Sequence, residues 1–149
     1  MEETGVTTAE NALSVFVSES VEQLMEDFAA LESTDTVTRA IIHPKTGDDM
    51  KATFTVYGQE SETYKTTTSR MRARITQFVQ RNPGMKPDQK QKIFDSYEKD
   101  RNISCIKSID NFILNGQPLT DPKTICDKYN WIYNQICGVI DGVGNFIAA

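Results

Sequence analysis

A single histidine, His43, stands in a chain of 149 residues, and Pro44 follows it at once. A general base needs a nucleophile or an orienting carboxylate fixed beside it. The nearest acids, Asp48 and Asp49, belong to the same run, HPKTGDD, whose Pro, Gly and Asp content is turn chemistry. We read His43 as a solvated turn residue. No nucleophile elbow, Walker loop or GxGxxG fingerprint occurs. The glycines of GVIDGVG follow no strand-like run, so they do not read as a phosphate cradle. Cys105, Cys126 and Cys137 are odd in number and lack CxxC spacing, which argues against a disulfide framework and a zinc site. Small buried hydrophobes in a reducing compartment is the expectation for them. No catalytic residue, cofactor or metal is expected, and the chain does not read as an enzyme.

The chemistry on offer is charge and apolar surface. The net charge of −5 conceals a split: residues 1–63 carry −10, residues 64–107 carry +7 and residues 108–149 carry −2. Such a division either attracts internally, meets two partners, or only solvates two faces. Arg70, Arg74 and Arg81, with Gln77, form a stripe along one predicted helix. Arginines so placed suit phosphates, an acidic protein partner, or solvent. The nearby aromatics, Tyr64 and Phe78, belong to the apolar stripe instead, so nucleic acid is the weaker reading. At the far end, YNWIYNQICGVIDGVGNFIAA is rich in large apolar side chains. Trp131, Tyr133, Phe146 and Ile147 suit either core anchors or a patch that captures another apolar protein. Trp131 is expected in the core, while Phe146 and Ile147 fit both roles.

The elements that position these residues follow from periodicity. Thr7 and Glu10 have capping-box spacing, and Leu13, Val17, Val21, Leu24, Phe28 and Leu31 recur at helical intervals. An acidic amphipathic helix is predicted over roughly 8–32, making 1–35 an acidic head and 36–149 the body of what reads as one domain. Val37 to Ile42 is β-branched, and Lys51 to Tyr57 alternates, with Ala52, Phe54 and Val56 on one face. A β-hairpin about the HPKTGDD turn results. It is marginal alone, so it either braces helices or lends its edge to another chain. A helix over about 60–80 stops at Asn82-Pro83-Gly84, and Pro87 opens the next. Phe94, Tyr97, Cys105, Ile109 and Phe112 share one helical face, in one long helix or two shorter ones. Asn115-Gly116-Gln117-Pro118 is a turn, Asp121 and Pro122 begin another helix, and Trp131 to Val143 suggests a last one. The expected fold class is α+β, mostly helical with one small antiparallel hairpin. Hydrophobic residues make up only 38%, which suits a loosely packed molecule or one that completes its core against a partner. The acidic opening, MEETGVTTAEN, does not read as a signal peptide, and no apolar run approaches the ~18 residues of a membrane span. A cytoplasmic protein without membrane contact is expected.

The order of these features resembles the tail assembly chaperones of long-tailed bacteriophages. Four segments carry the resemblance: HPKTGDDMKATFTVYGQESETYK, the Arg-rich TTTSRMRARITQF, SIDNFILNGQPL with its Gly-centred turn, and YNWIYNQICGVIDGVGNFI. Together they cover roughly residues 40–147. Ile109 stands where many such proteins have tryptophan. The resemblance implies a non-enzyme that binds the long helical tape measure protein, helps recruit tail tube protein in the host cytoplasm, and is absent from the mature virion. It leaves room for self-association. A permanent tail component and a nucleic-acid-binding module are the alternative readings. Trp131, Tyr133, Phe146, Ile147, Arg70, Arg74 and Arg81 are the residues read from the sequence as partner-binding.

Overall fold

A computed structural model describes residues 33–147. The acidic helix expected over roughly 8–32 lies outside the described residues, as does nearly all of the 1–35 head.

The hairpin forms where the β-branched runs place it. Strand β1 spans Thr36–Ile42 and strand β2 spans Asp49–Tyr57, paired antiparallel. Between them Gly47 takes a left-handed φ of 78°. His43 closes this turn: its Nδ1 accepts the backbone N–H groups of Lys45 and Thr46, both at 3.1 Å. Its role in the turn is therefore structural. Alternation along β2 buries Ala52, Phe54 and Val56 on one face.

Helix α1 (Glu62–Arg81) starts at Ser61, whose Oγ accepts the Tyr64 N–H. Helix α2 (Pro87–Ser104) opens on Pro87, whose missing N–H would have been an orphan there. Together they form a helical hairpin, pinned by Phe78 edge-on to both Phe94 and Tyr97. Helix α3 (Pro122–Lys128) is capped by Asp121, which accepts from Thr124 N. That bond and one from the Thr124 hydroxyl hold the Asp121 carboxyl below its ordinary value. Helix α4 (Asn130–Asp141) buries Ile132, Ile136 and Ile140 at helical spacing, and a 3-10 turn over Val143–Phe146 follows.

The chain after α2 departs from the expected helix. Ile106–Asp110 is strand β3, paired antiparallel with β2, and the sheet runs β1-β2-β3. Ile106 and Ile109 are both buried although they lie three residues apart. A register shift opposite Thr55 and Val56 permits this, because a bulge turns consecutive stretches of one strand to the same face. The result is helical spacing within a strand. A small hairpin then pairs β4 (Ile113–Leu114) with β5 (Gln117–Pro118). Its turn residues Asn115 and Gly116 both have positive φ, as a type I′ turn requires. The fold class is α+β as expected, with a fuller sheet.

The two edges of the hairpin are covered unequally. The outer edge of β2 is covered by β3 over Thr53–Val56. On β1, the Gln135 carboxamide accepts from Ile42 N at 3.0 Å and donates to Ile42 O at 2.6 Å. One side chain thus substitutes for a neighbouring strand at that point.

The core joins the inner face of the sheet to α3 and α4, and Phe146 seals one end. The ring lies against Gly58, where an added Cβ would stand 2.7 Å from Phe146 Cδ1. Gly58 is held in turn by Asp35 O and by Ser61, whose N–H and hydroxyl both donate to its carbonyl. Gly58→Ala is therefore expected to destabilise the protein by about 1–3 kcal/mol through overpacking. Gly84→Ala, where a Cβ meets nothing within 4 Å, serves as control. Urea denaturation of the two variants measures the difference.

Candidate functional site

A groove opens where β3 leaves the sheet. The last β2–β3 pair is Thr53 with Asp110. Asn111 then takes φ 60° and turns the chain away, while on the β2 side Lys51 takes φ 68°. Asp49 stabilises that conformation by accepting the Lys51 N–H at 2.7 Å. Left-handed backbone is unfavourable for a lysine, and such residues concentrate at functional positions. Both line a cavity of about 400 Å³.

Its wall is aromatic. Phe112, Tyr129 and Trp131 form a chain with ring centroids 5.8 and 6.2 Å apart. Buried Ile41, Ala52 and Ile132 make the floor. Met50 and Ile113 stand at the lip, 45% and 59% exposed. A polarisable thioether beside aromatic faces adapts to varied apolar shapes. The volume falls within the range of small-molecule cavities. The two exposed side chains at the lip extend the apolar surface beyond what a ligand inside it would cover.

The C-terminal residues that suited either core anchors or a capturing patch are divided among separate places. Trp131, expected in the core, is only half-buried and packs against the core from the groove wall. Tyr133, two residues on, projects about 200° around the helix. Its hydroxyl accepts from Asn102 Nδ2 at 3.1 Å, and Lys99 Nζ lies 5.3 Å from its ring. Burial pushes the Tyr133 phenol up, well away from ionisation. Phe146 is 3% exposed and takes the core role, of the two that it fitted, so it is not available to a capturing surface. Ile147 is half-buried and bridged to Ser33.

The arginine stripe also divides. Arg74 sits 4.4 Å over the Tyr97 ring and 3.7 Å from Asp100. Arg70 lines the same small cleft between α1 and α2. Arg81 lies about 10 Å further along the helix axis, at its last turn, and does not join them. A residue that periodicity did not single out does join them: Arg101, from α2, is buried and stacks 4.7 Å over Tyr64. In sequence it sits in EKDRN, which reads as a solvated face.

The thiols are shifted away from reactivity. Cys105 and Cys126 are fully buried, and burial raises both thiols, Cys126 to about 11. Cys137 is raised for the same reason and accepts weakly from Asn102 Nδ2. Reactive thiols are shifted the other way. Among the described residues no three His, Cys, Asp or Glu side chains are grouped to hold a metal ion. No described helix is long and apolar enough to cross a membrane.

The raised thiols have a stability consequence. An unfolded Cys126 loses its proton near 9.0, the folded one near 11. Between those values the unfolded chain binds fewer protons, so stability falls as pH rises, by up to ~1.4 kcal/mol per pH unit for this thiol. Below pH 9 the contribution is complete. Urea midpoints followed from pH 8 to 11 are expected to fall, and Cys126→Ala is expected to flatten the slope.

No protein-family model, curated protein or solved structure matches this chain.

Proposed function

We propose that this chain is a tail assembly chaperone that binds the apolar face of a helical tape measure protein in the host cytoplasm, helps recruit tail tube protein, and is shed before the virion matures. The observation that carries the reading is the aromatic groove with Met50 and Ile113 exposed at its lip. An amphipathic helix lays its apolar residues, spaced three and four apart, into a surface of this kind. The four-segment resemblance supplies the class of client. Three of those segments furnish groove residues: Met50, Lys51 and Ala52 from the first, Phe112 and Ile113 from the third, Tyr129, Trp131 and Ile132 from the last.

A client helix seated there buries what remains exposed of the two lip side chains, 45% and 59%, so each contributes roughly half of the ~1.5–3 kcal/mol that complete burial gives. The groove's polar neighbours, Lys51 and Asn111, stand at its border and suit a polar rim. Its lining holds no carboxylate, histidine or cysteine.

Co-expression with a tape measure protein tests the proposal. The client is expected to move into the soluble fraction and to co-purify with this chain. Met50→Glu and Ile113→Glu, both at exposed positions, are expected to leave the urea midpoint nearly unchanged while reducing co-purified client at least about tenfold. A client equally soluble with and without the chain overturns the reading. So does detection of the chain in purified particles, which marks a permanent tail component instead.

A further inference from the structure

Arg101 is buried with much of its hydrogen-bonding capacity unspent. Its side chain keeps 8% exposure. Its Nε–H donates to Asn102 Oδ1 at 2.8 Å, and Nη1 donates to Thr68 Oγ1 at 3.0 Å. A guanidinium has five N–H donors, so three are left without a hydrogen-bond acceptor among the described residues. Glu98 Oε2 lies 3.9 Å from Nη2, beyond hydrogen-bonding distance, and its own side chain is 60% exposed. Tyr64 offers a ring face but no conventional acceptor to these donors. A buried cation ordinarily meets an acceptor for each such group.

The open direction from Arg101 is the cleft between α1 and α2, which it lines with Arg70, Arg74, Asp100 and Ser104. Three guanidiniums therefore border a single carboxylate there. Arg74 is steadied by the Tyr97 ring and only loosely engaged by Asp100 at 3.7 Å. From this arrangement the geometry points to an oxyanion site: the Arg70–Arg74–Arg101 cleft receives the side-chain carboxylate of an acidic residue on a polypeptide partner.

One feature favours a carboxylate over a phosphate. Asp100 already stands at the site, and a dianion beside it meets stronger like-charge repulsion than a monoanion. Arginine's planar fork matches the two carboxylate oxygens. The inference rests on the reading of this protein as a polypeptide binder and adds a second, polar contact remote from the aromatic groove in residue composition.

The experiment uses the full chain and three probes: a fluorescent oligo-glutamate peptide, a single-stranded oligonucleotide of equal charge, and inorganic phosphate. The peptide is expected to bind and to shift the Arg101 Nε–H resonance in ¹⁵N spectra. Arg70→Gln and Arg74→Gln, both at exposed positions, are expected to weaken it about tenfold each. Arg72→Gln, on the same helix but outside the cleft, is expected to change it by less than about twofold. An equal loss in all three variants overturns the site in favour of diffuse charge attraction. Tighter, Arg70- and Arg74-dependent binding of the oligonucleotide or of phosphate overturns it in favour of a phosphate site. No peptide binding overturns it outright. The client assay with Met50→Glu and Ile113→Glu is independent of these outcomes, so loss of the cleft leaves the chaperone reading standing, and the reverse.

Discussion

The inward face of β2 is the surface on which the described structure assembles. Ala52, Phe54 and Val56 are each at most 5% exposed and belong to one cluster with Ile132, Ile136 and Ile140 of α4. Period-2 alternation in the strand meets period-3.6 recurrence in the helix, and each gives the other a continuous apolar surface. A two-stranded hairpin could not hold this position alone. The third strand makes it possible, because β3 occupies the edge that the hairpin would leave open. The groove is a consequence of the same arrangement. β2 runs on to Asp49 while β3 stops pairing at Asp110, so the strand end and the departing chain border a gap that no strand fills.

Much of this was legible, and the reasons are local. Pro87 and Asp121 each announce a helix start through chemistry that acts within one turn, and the structure begins helices at both. Asn115-Gly116 announces its turn because positive φ at both positions restricts the choice of residue. β3 was illegible for an equally physical reason. Buried Ile106 and Ile109 are three apart, which is helical spacing, and only the bulge against β2 reconciles it with a strand. A bulge depends on the partner strand, so the segment alone does not encode it visibly. Of the site, Trp131 was found from its size, but its neighbours Met50 and Phe112 belong to segments distant in sequence and meet only in the fold.

Arg101 marks the same limit from the polar side. Charged residues at helical spacing read as solvated, and burial of one of them is decided by what α1 presents to it. Tyr64 and Thr68, one turn apart on α1, supply a ring face and a hydroxyl. Thr68 is buried, and its Oγ1 serves there as an acceptor. Next in sequence, Asn102 turns its carbonyl to Arg101 and its amide to Tyr133, so α2 is tied by polar contacts to α1 on one side and α4 on the other. A buried network of this kind fixes the relative placement of helices more sharply than apolar contact does.

That placement connects the cleft to the end of the sheet through a short chain of contacts. Phe146 packs on Gly58, Gly58 accepts both bonds from Ser61, and Ser61 caps the helix whose first turn carries Tyr64. The orientation of α1 at its start is therefore set by a packed ring and two hydrogen bonds, and the Tyr64 face beneath Arg101 follows from it. Further along, the apolar contacts between α1 and α2 are the aromatic ones of Phe78 with Phe94 and Tyr97. Tyr97 then serves twice, closing the helical hairpin on one side and supporting Arg74 on the other. Arg74 and Arg101 are thus each backed by a ring that belongs to the packing of the helices, and Arg70 shares their cleft, where among the described residues Asp100 and Glu98 oppose them. Repulsion among them is relieved by any acceptor that arrives with negative charge, so the same packing that holds the guanidiniums together also makes the cleft attractive to an acidic partner.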